Sequence, residues 1–290
     1  MPNKKAVSSL YRNRRRPTVQ GTLIIVGLSL FAFIQVYPFL WLVLFSFKSN
    51  DEIFGGNIAG IPHTWLWGNY SDAFLGGKVG LYLFNSVLVT SFTIVLTLLV
   101  ACMAAYGISR LRWKLSQPVL VFFLLGMMIP IHATLLPLFI IFKNLRLLNT
   151  YWCLILPYTG FALPIAIFIL SGFMKAIPLE MEESSFMDGA SVFRSFFSII
   201  LPIVRPAMAT VAILTFLSAW NELMFAITFI SKAQYSTLTV GLQSMVGQYS
   251  TAWGPIGAGL VIGTVPTIII YAIMSKQIQD SFMTAGAVKG

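Results

Sequence analysis

The chain has 290 residues, of which 57% are hydrophobic and 10% charged, with a mean hydropathy of +0.83. A water-soluble globular domain needs no such composition, so an integral membrane protein is expected and soluble enzymes are excluded. The net charge of +10 does not point to nucleic acid, because Lys and Arg gather at the ends of apolar runs rather than along one solvated face.

A basic segment, 1–20, precedes a single membrane domain, 21–290. The first apolar run starts near Gly21, lasts about 27 residues and lacks a small-residue cleavage site, so it reads as a retained span rather than a signal peptide. Runs long enough to cross roughly 30 Å of hydrocarbon follow, giving spans at about 22–47, 81–109, 117–142, 152–173, 207–230 and 255–275. Six spans put both termini on one side. Fourteen of the 19 Lys and Arg residues fall on that side, including Arg14, Arg110, Lys175 and Lys276; Lys48, Lys78, Lys143, Arg146 and Lys232 fall on the other. The excess marks the cytoplasm.

Pro38, Pro130, Pro137, Pro157 and Pro164 are helix breakers within the spans, and Gly259 and Gly263 form a GxxxG spacing that lets helices approach closely; they suit ordinary packing and kinks, or a bundle of bent helices around a path. No internal repeat is visible. Cys102 and Cys153 belong to spans at places near opposite faces, too far apart to bridge.

Between the fourth and fifth spans lies an insert, 178–206, "PLEMEESSFMDGASVFRSFFSIILPIVRP". Pro178 with Glu180, Glu182 and Glu183 suits a helix N-terminus, and Asp188-Gly189 ends that helix, with Asp188 placed to cap the next. A second helix is expected from about Ala190 to Ile200. It would carry Val192, Phe193, Phe196, Phe197 and Ile200 on one face and be ended by Pro202 and Pro206. The product is a helix-turn-helix knob on the cytoplasmic surface.

Tools for hydrolysis are missing. "GGKVG" at 76–80 is no phosphate loop, there is no HExxH or CxxC, and there are two histidines in all. Energy for uphill transport must come from another protein or an ion gradient. Glu222 is the one acid inside a span, where a lipid-facing carboxylate would cost on the order of 3 kcal/mol, so it must face protein or water. Counted from Pro206 it lies roughly 24 Å along the fifth helix at about 1.5 Å per residue. Trp220, Asn221 and Glu222 offer an aromatic surface and polar groups that a sugar could use, or an interhelical hydrogen bond that fixes the fifth helix, or a contact with a binding protein. His132, between the prolines of the third span, is a second path candidate.

The insert also resembles the EAA loop of ABC-importer permeases: Glu183-Ser184-Ser185, then Gly189, then Ile199, Leu201 and Pro202 as I-x-L-P. Serines replace both alanines of the pattern. Around it "NYSDAF", "NSVLVT", "AYGISRLRW", "MMIPIHATLLPLF", "WNELMFA" and "GAVKG" follow in the order of the carbohydrate, maltose-type branch. The resemblance implies an all-α membrane protein of the type I importer permease fold, six spans with a coupling-helix insert, in a bacterial inner membrane. It implies ATPase contacts by Glu183, Ser184, Ser185, Asp188, Gly189 and Ala190. It further implies a second, different permease, a cytoplasmic ATPase dimer that binds ATP and Mg, an extracytoplasmic solute-binding protein, and no cofactor on this chain. Other readings are an ABC permease for a different polar solute, a proton-coupled carrier using Glu222 and His132, and a membrane assembly subunit.

Overall fold

The computed structural model describes residues 19–111, 113–247 and 251–287, with side chains described from 21 to 273. The N-terminal basic charges, Arg112 and the end of "GAVKG" lie outside the described residues. In chain order the main helices are α1 (Val19–Phe45), α2 (Val79–Ser109), α3 (Ser116–Gly126), α4 (Leu135–Asn144), α5 (Trp152–Lys175) and α6 (Glu180–Met187). They continue with α7 (Val192–Ile203), α8 (Arg205–Trp220), α9 (Met224–Phe229), α10 (Leu238–Ser244) and α11 (Trp253–Ala287). Four of them, α1, α2, α5 and α11, are long and apolar enough to cross a membrane alone. Counting each bent helix pair as one raises the number to six.

The bundle is built on α2 and α5, which pack along their length. Close approach is possible because the inward face of α2 is small or hydroxylated: Ser86, Thr90, Thr93, Thr97, Ala101 and Ala105 are all buried. Ala166 and Ile167 of α5 are fully buried opposite them. At one end of the pair, Tyr106, Leu170 and Met174 share an apolar cluster with Phe196 and Ile200 of α7. Toward the other end, Cys153 and Tyr158 join Phe225 and Phe229 of α9. The two cysteines thus sit in separate clusters, both free.

α1 stands apart from this core. Leu23, Phe31 and Phe33 are each more than 60% exposed, and the helix is apolar on every side, as a lipid-embedded helix is. It meets α11 at its far end, where a Cβ on Gly257 would lie 2.8 Å from the Phe45 ring and 3.1 Å from Ser46 Cα. Just beyond, Lys48 is fully buried and donates to the carbonyls of Asn57 (2.5 Å) and Ile58 (3.3 Å), folding the following loop back on itself.

Two spans are broken, the third at the prolines singled out in its sequence. The third breaks after Gly126: Pro130 is extended (ψ 116°), a 3-10 turn covers Ile131–Thr134, and the two halves are bent by 87°. Proline removes an N–H and disfavours helix at the residue before it, so the chain leaves the helix here and re-enters at α4, where Pro137 occupies the tolerant first turn. The fifth span stops at Trp220 and restarts at Met224. The chain then turns back through α10, which lies on the GxxxG face of α11: Cβ atoms on Gly259 and Gly263 would meet Leu242 at 2.5 Å and Leu238 at 2.9 Å. The close approach is therefore made by a short helix that folds inward after the fifth span.

Candidate functional site

The insert forms two helices as expected, and the turn between them has an identifiable construction. α6 ends in a Schellman motif: Ala190 N–H donates to Ser185 O (2.9 Å), Gly189 N–H to Phe186 O (3.0 Å), and Gly189 takes a left-handed φ of +79°. The next helix is capped by Ser191, whose hydroxyl accepts from Arg194 N–H at 3.3 Å, and not by Asp188, which is the C-cap of α6. The second helix also passes Pro202, through a π-helical stretch at Phe196–Ile200, and ends at Ile203; α7 and α8 bend by 73° across Val204. Its apolar residues do not share one environment. Phe196 and Ile200 are buried in the core, whereas Val192, Phe193 and Phe197 face outward beside Met103 and Gly107.

Of the six residues assigned to ATPase contact, Glu183, Ser184, Asp188 and Gly189 are exposed and Ala190 is half-buried. Ser185 is different: it is buried, and its hydroxyl donates to Glu182 O (2.8 Å). A small side chain is needed there because the position packs against the bundle. The inward side of α6 is held by Glu182, 4% exposed, in a buried ion pair with Arg110 that sequence reasoning did not find. Its signal was present: three acids in the first turn of one helix cannot all face water if that helix docks on a bundle end carrying Arg110.

The second place of interest is a cavity of about 170 Å³ between α5 and α8. Ile131, from the break in the third span, and Glu222, from the break in the fifth, both line it, with Tyr158, Thr215 and Ser218. Irregular backbone at membrane depth is tolerated where it is buried in protein or lines a cavity, so the two breaks and the cavity belong together. Thr215, Ser218 and Glu222 follow a three-then-four spacing along one helical face, a pattern legible in the sequence but passed over.

Glu222 is not inside a continuous helix. Its Oε1 accepts from Phe225 N–H (2.9 Å), and its Oε2 accepts from Ala226 N–H (3.3 Å) and the Tyr158 hydroxyl (2.6 Å). The carboxylate thus supplies the acceptors that the first turn of α9 lacks. Trp220 presents no aromatic surface to a ligand: it is buried, stacked on Phe216 at 5.3 Å, and donates to Gly263 O (3.2 Å), tying the fifth span to the sixth. Asn221 is exposed and donates back to Leu217 O at 2.8 Å. His132 is exposed in the third-span break, and no hydrogen bond among the described residues connects it to Glu222.

The segment after α9 is pinned by "NSVLVT". Asn85 donates to Gln234 O and Ser236 O (both 2.9 Å), Ser86 accepts from Leu238 N–H (2.8 Å), and Tyr151 donates to Asn85 Oδ1 (2.8 Å). Burial first, then the neighbouring Tyr235 phenol, hold the Tyr151 hydroxyl above its ordinary pKa, so it remains a donor.

Residues 94–280 match the family of binding-protein-dependent transport system inner membrane components. The chain belongs to this family. Among its relatives are the probable ABC transporter permease protein YurM of Bacillus subtilis, 38% identical over 96% of this chain and 91% of that protein, and the trehalose/maltose transport system permease protein MalG of Thermococcus litoralis, 33% identical over 95% and 99%. A solved bacterial ABC transporter involved in the import of the acidic polysaccharide alginate contains a chain that superposes with a TM-score of 0.79. It is 22% identical and covers 90% of this chain and 96% of that one, a likeness that establishes the permease fold. As a member of the family the chain is a transport component of an ABC system and not an enzyme.

Proposed function

We propose that this chain is one of two different permeases of an ATP-driven importer for a sugar or oligosaccharide. The observation that carries the coupling role is the geometry of α6: one side is fixed to the bundle by Glu182 and Ser185, and the other presents Glu183, Ser184, Asp188 and the Gly189 turn. A helix anchored on one side and bare on the other is suited to sit in a cleft of a cytoplasmic ATPase dimer, which binds ATP and Mg. The sugar substrate is supported by relatives named for trehalose, maltose and lactose transport. The cavity between the two broken spans, with Ser218, Thr215 and the Glu222 carboxylate at its wall, is the part of the path this chain lines. The exposed length of α1 suits packing against a second permease as well as lipid. An extracytoplasmic binding protein delivers the solute, and both termini face the cytoplasm.

The mechanism is alternating access. Closure of the ATPase dimer brings the inserts together, and the spans behind them open outward. Its test is extraction of the tagged chain from its own membrane in mild detergent, with identification of what comes with it. An ATPase and a second permease are expected, with ATP turnover raised by the binding protein loaded with an oligosaccharide of the trehalose and maltose type. Recovery of this chain alone in a preparation that still transports would overturn the proposal.

A further inference from the structure

Arg110 closes the last turn of α2 and is 9% exposed. Its Nη1 donates to Met174 O (3.1 Å) and Ile177 O (2.7 Å), its Nη2 to Pro178 O (3.3 Å), and Nε and Nη2 both meet Glu182 Oε2. One planar guanidinium therefore joins three pieces of chain: the end of the second span, the carbonyl end of the fourth, and the first turn of the insert. Lysine, a point charge on a flexible stem, could not hold that arrangement.

Glu182 precedes Glu183, and successive residues of an α-helix point about 100° apart. The group that anchors α6 thus sits one residue from the outward face offered to the ATPase. The insert has a second hold on the bundle, Phe196 and Ile200 in the cluster of Tyr106 and Met174, with the Tyr106 and Phe196 rings 4.9 Å apart. Apolar burial is non-directional, whereas a charge-assisted pair within a full set of hydrogen bonds has one geometry. Of the two holds, the ion pair sets the angle of α6.

We infer that Arg110 and Glu182 are the joint that makes α6 turn as one body with α2 and α5, acting as positioning residues for the ATPase-facing side of the insert. The inference rests on the importer reading above. Because α2 and α5 are packed along their length, a displacement entering at this joint moves both spans together.

The test uses the full complex in lipid nanodiscs, with spin labels on Met187→Cys in α6 and Phe168→Cys in α5, two exposed positions. In the otherwise wild-type complex the distance between the labels stays constant when ATP and vanadate close the ATPase. In Arg110→Met/Glu182→Leu, which removes both charges and leaves neither unpaired, closure shifts the distance by about 2 Å or more, the scale of helix movements at interfaces, while the ATPase stays bound. Glu182→Gln, nearly isosteric, gives the same readout if the double variant fails to fold. A constant distance in the variants, or a distance that already shifts in the wild-type complex, overturns the joint alone. A wild-type complex that carries no ATPase overturns the importer reading and the joint with it.

Discussion

At the scale of single residues, the insert shows why a small set of side chains recurs at fixed offsets. Ser185 and Gly189 are the C3 and C′ positions of one Schellman motif, so the first must be small to dock and the second must accept a positive φ. An added Cβ on Gly189 would meet nothing within 4 Å, so its requirement is backbone conformation rather than space. Gly189→Asn is accordingly expected to retain most uptake in membrane vesicles, since Asn tolerates the left-handed region, while Gly189→Val is expected to lose at least 1 kcal/mol locally and most uptake at normal membrane levels. Equal loss in both would show that the glycine is needed for contact with the ATPase instead. Glu222 illustrates the opposite case. The sequence marks it as an acid that must find partners, but the partners themselves, two N–H groups of α9 and the Tyr158 hydroxyl, are made by a helix break that periodicity does not show.

At the scale of elements, spans that carry helix breakers in the sequence separate into continuous and broken helices. α2 and α5 are continuous, α5 in spite of Pro157 and Pro164, and form a spine. The third and fifth spans are interrupted, and both interruptions border one cavity. The element that fills the space beside the sixth span is α10, and its fit depends on Gly241, where a Cβ would lie 2.0 Å from the Tyr82 ring. Gly241→Ala is expected to destabilise the purified protein by about 1–3 kcal/mol, as overpacking does, and Tyr82→Leu in the same chain is expected to recover part of that loss. Thermal unfolding in detergent measures both. An unchanged midpoint for Gly241→Ala would mean that α10 is not held against α2 as described.

At the scale of the whole molecule, the insert and the segment around Asn85 and Ser236 mark opposite ends of the bundle. From the charge count the insert end is expected on the cytoplasmic side. Met187, 88% exposed on α6, and Leu75, 75% exposed in the short helical stretch Asp72–Gly76 before α2, provide the check. In intact inner-membrane-bounded cells a membrane-impermeant maleimide is expected to label Leu75→Cys and leave Met187→Cys unlabelled until the membrane is opened. Labelling of Met187→Cys from outside would invert the topology and with it the coupling proposal.

The cytoplasmic side rests on the distribution of Lys and Arg, an expectation that the labelling above tests. The place of the insert and the apolar runs, four of which form single crossing-length helices and up to six of which count if each bent pair is one span, were legible in the sequence, because hydrocarbon thickness acts on local composition. So was the Gly189 turn, since the left-handed conformation leaves its mark on a single residue. Only the tertiary structure decided that Glu182 faces inward to Arg110, that Trp220 is a packing residue, and that α10 rather than another long span occupies the glycine face of α11. Each of these depends on residues far apart in the chain: 72 positions separate Arg110 from Glu182, and 43 separate Trp220 from Gly263. The direction of a side chain within a lipid-buried bundle is set by such partners, because an apolar helix in lipid has no hydrophobic face to orient it.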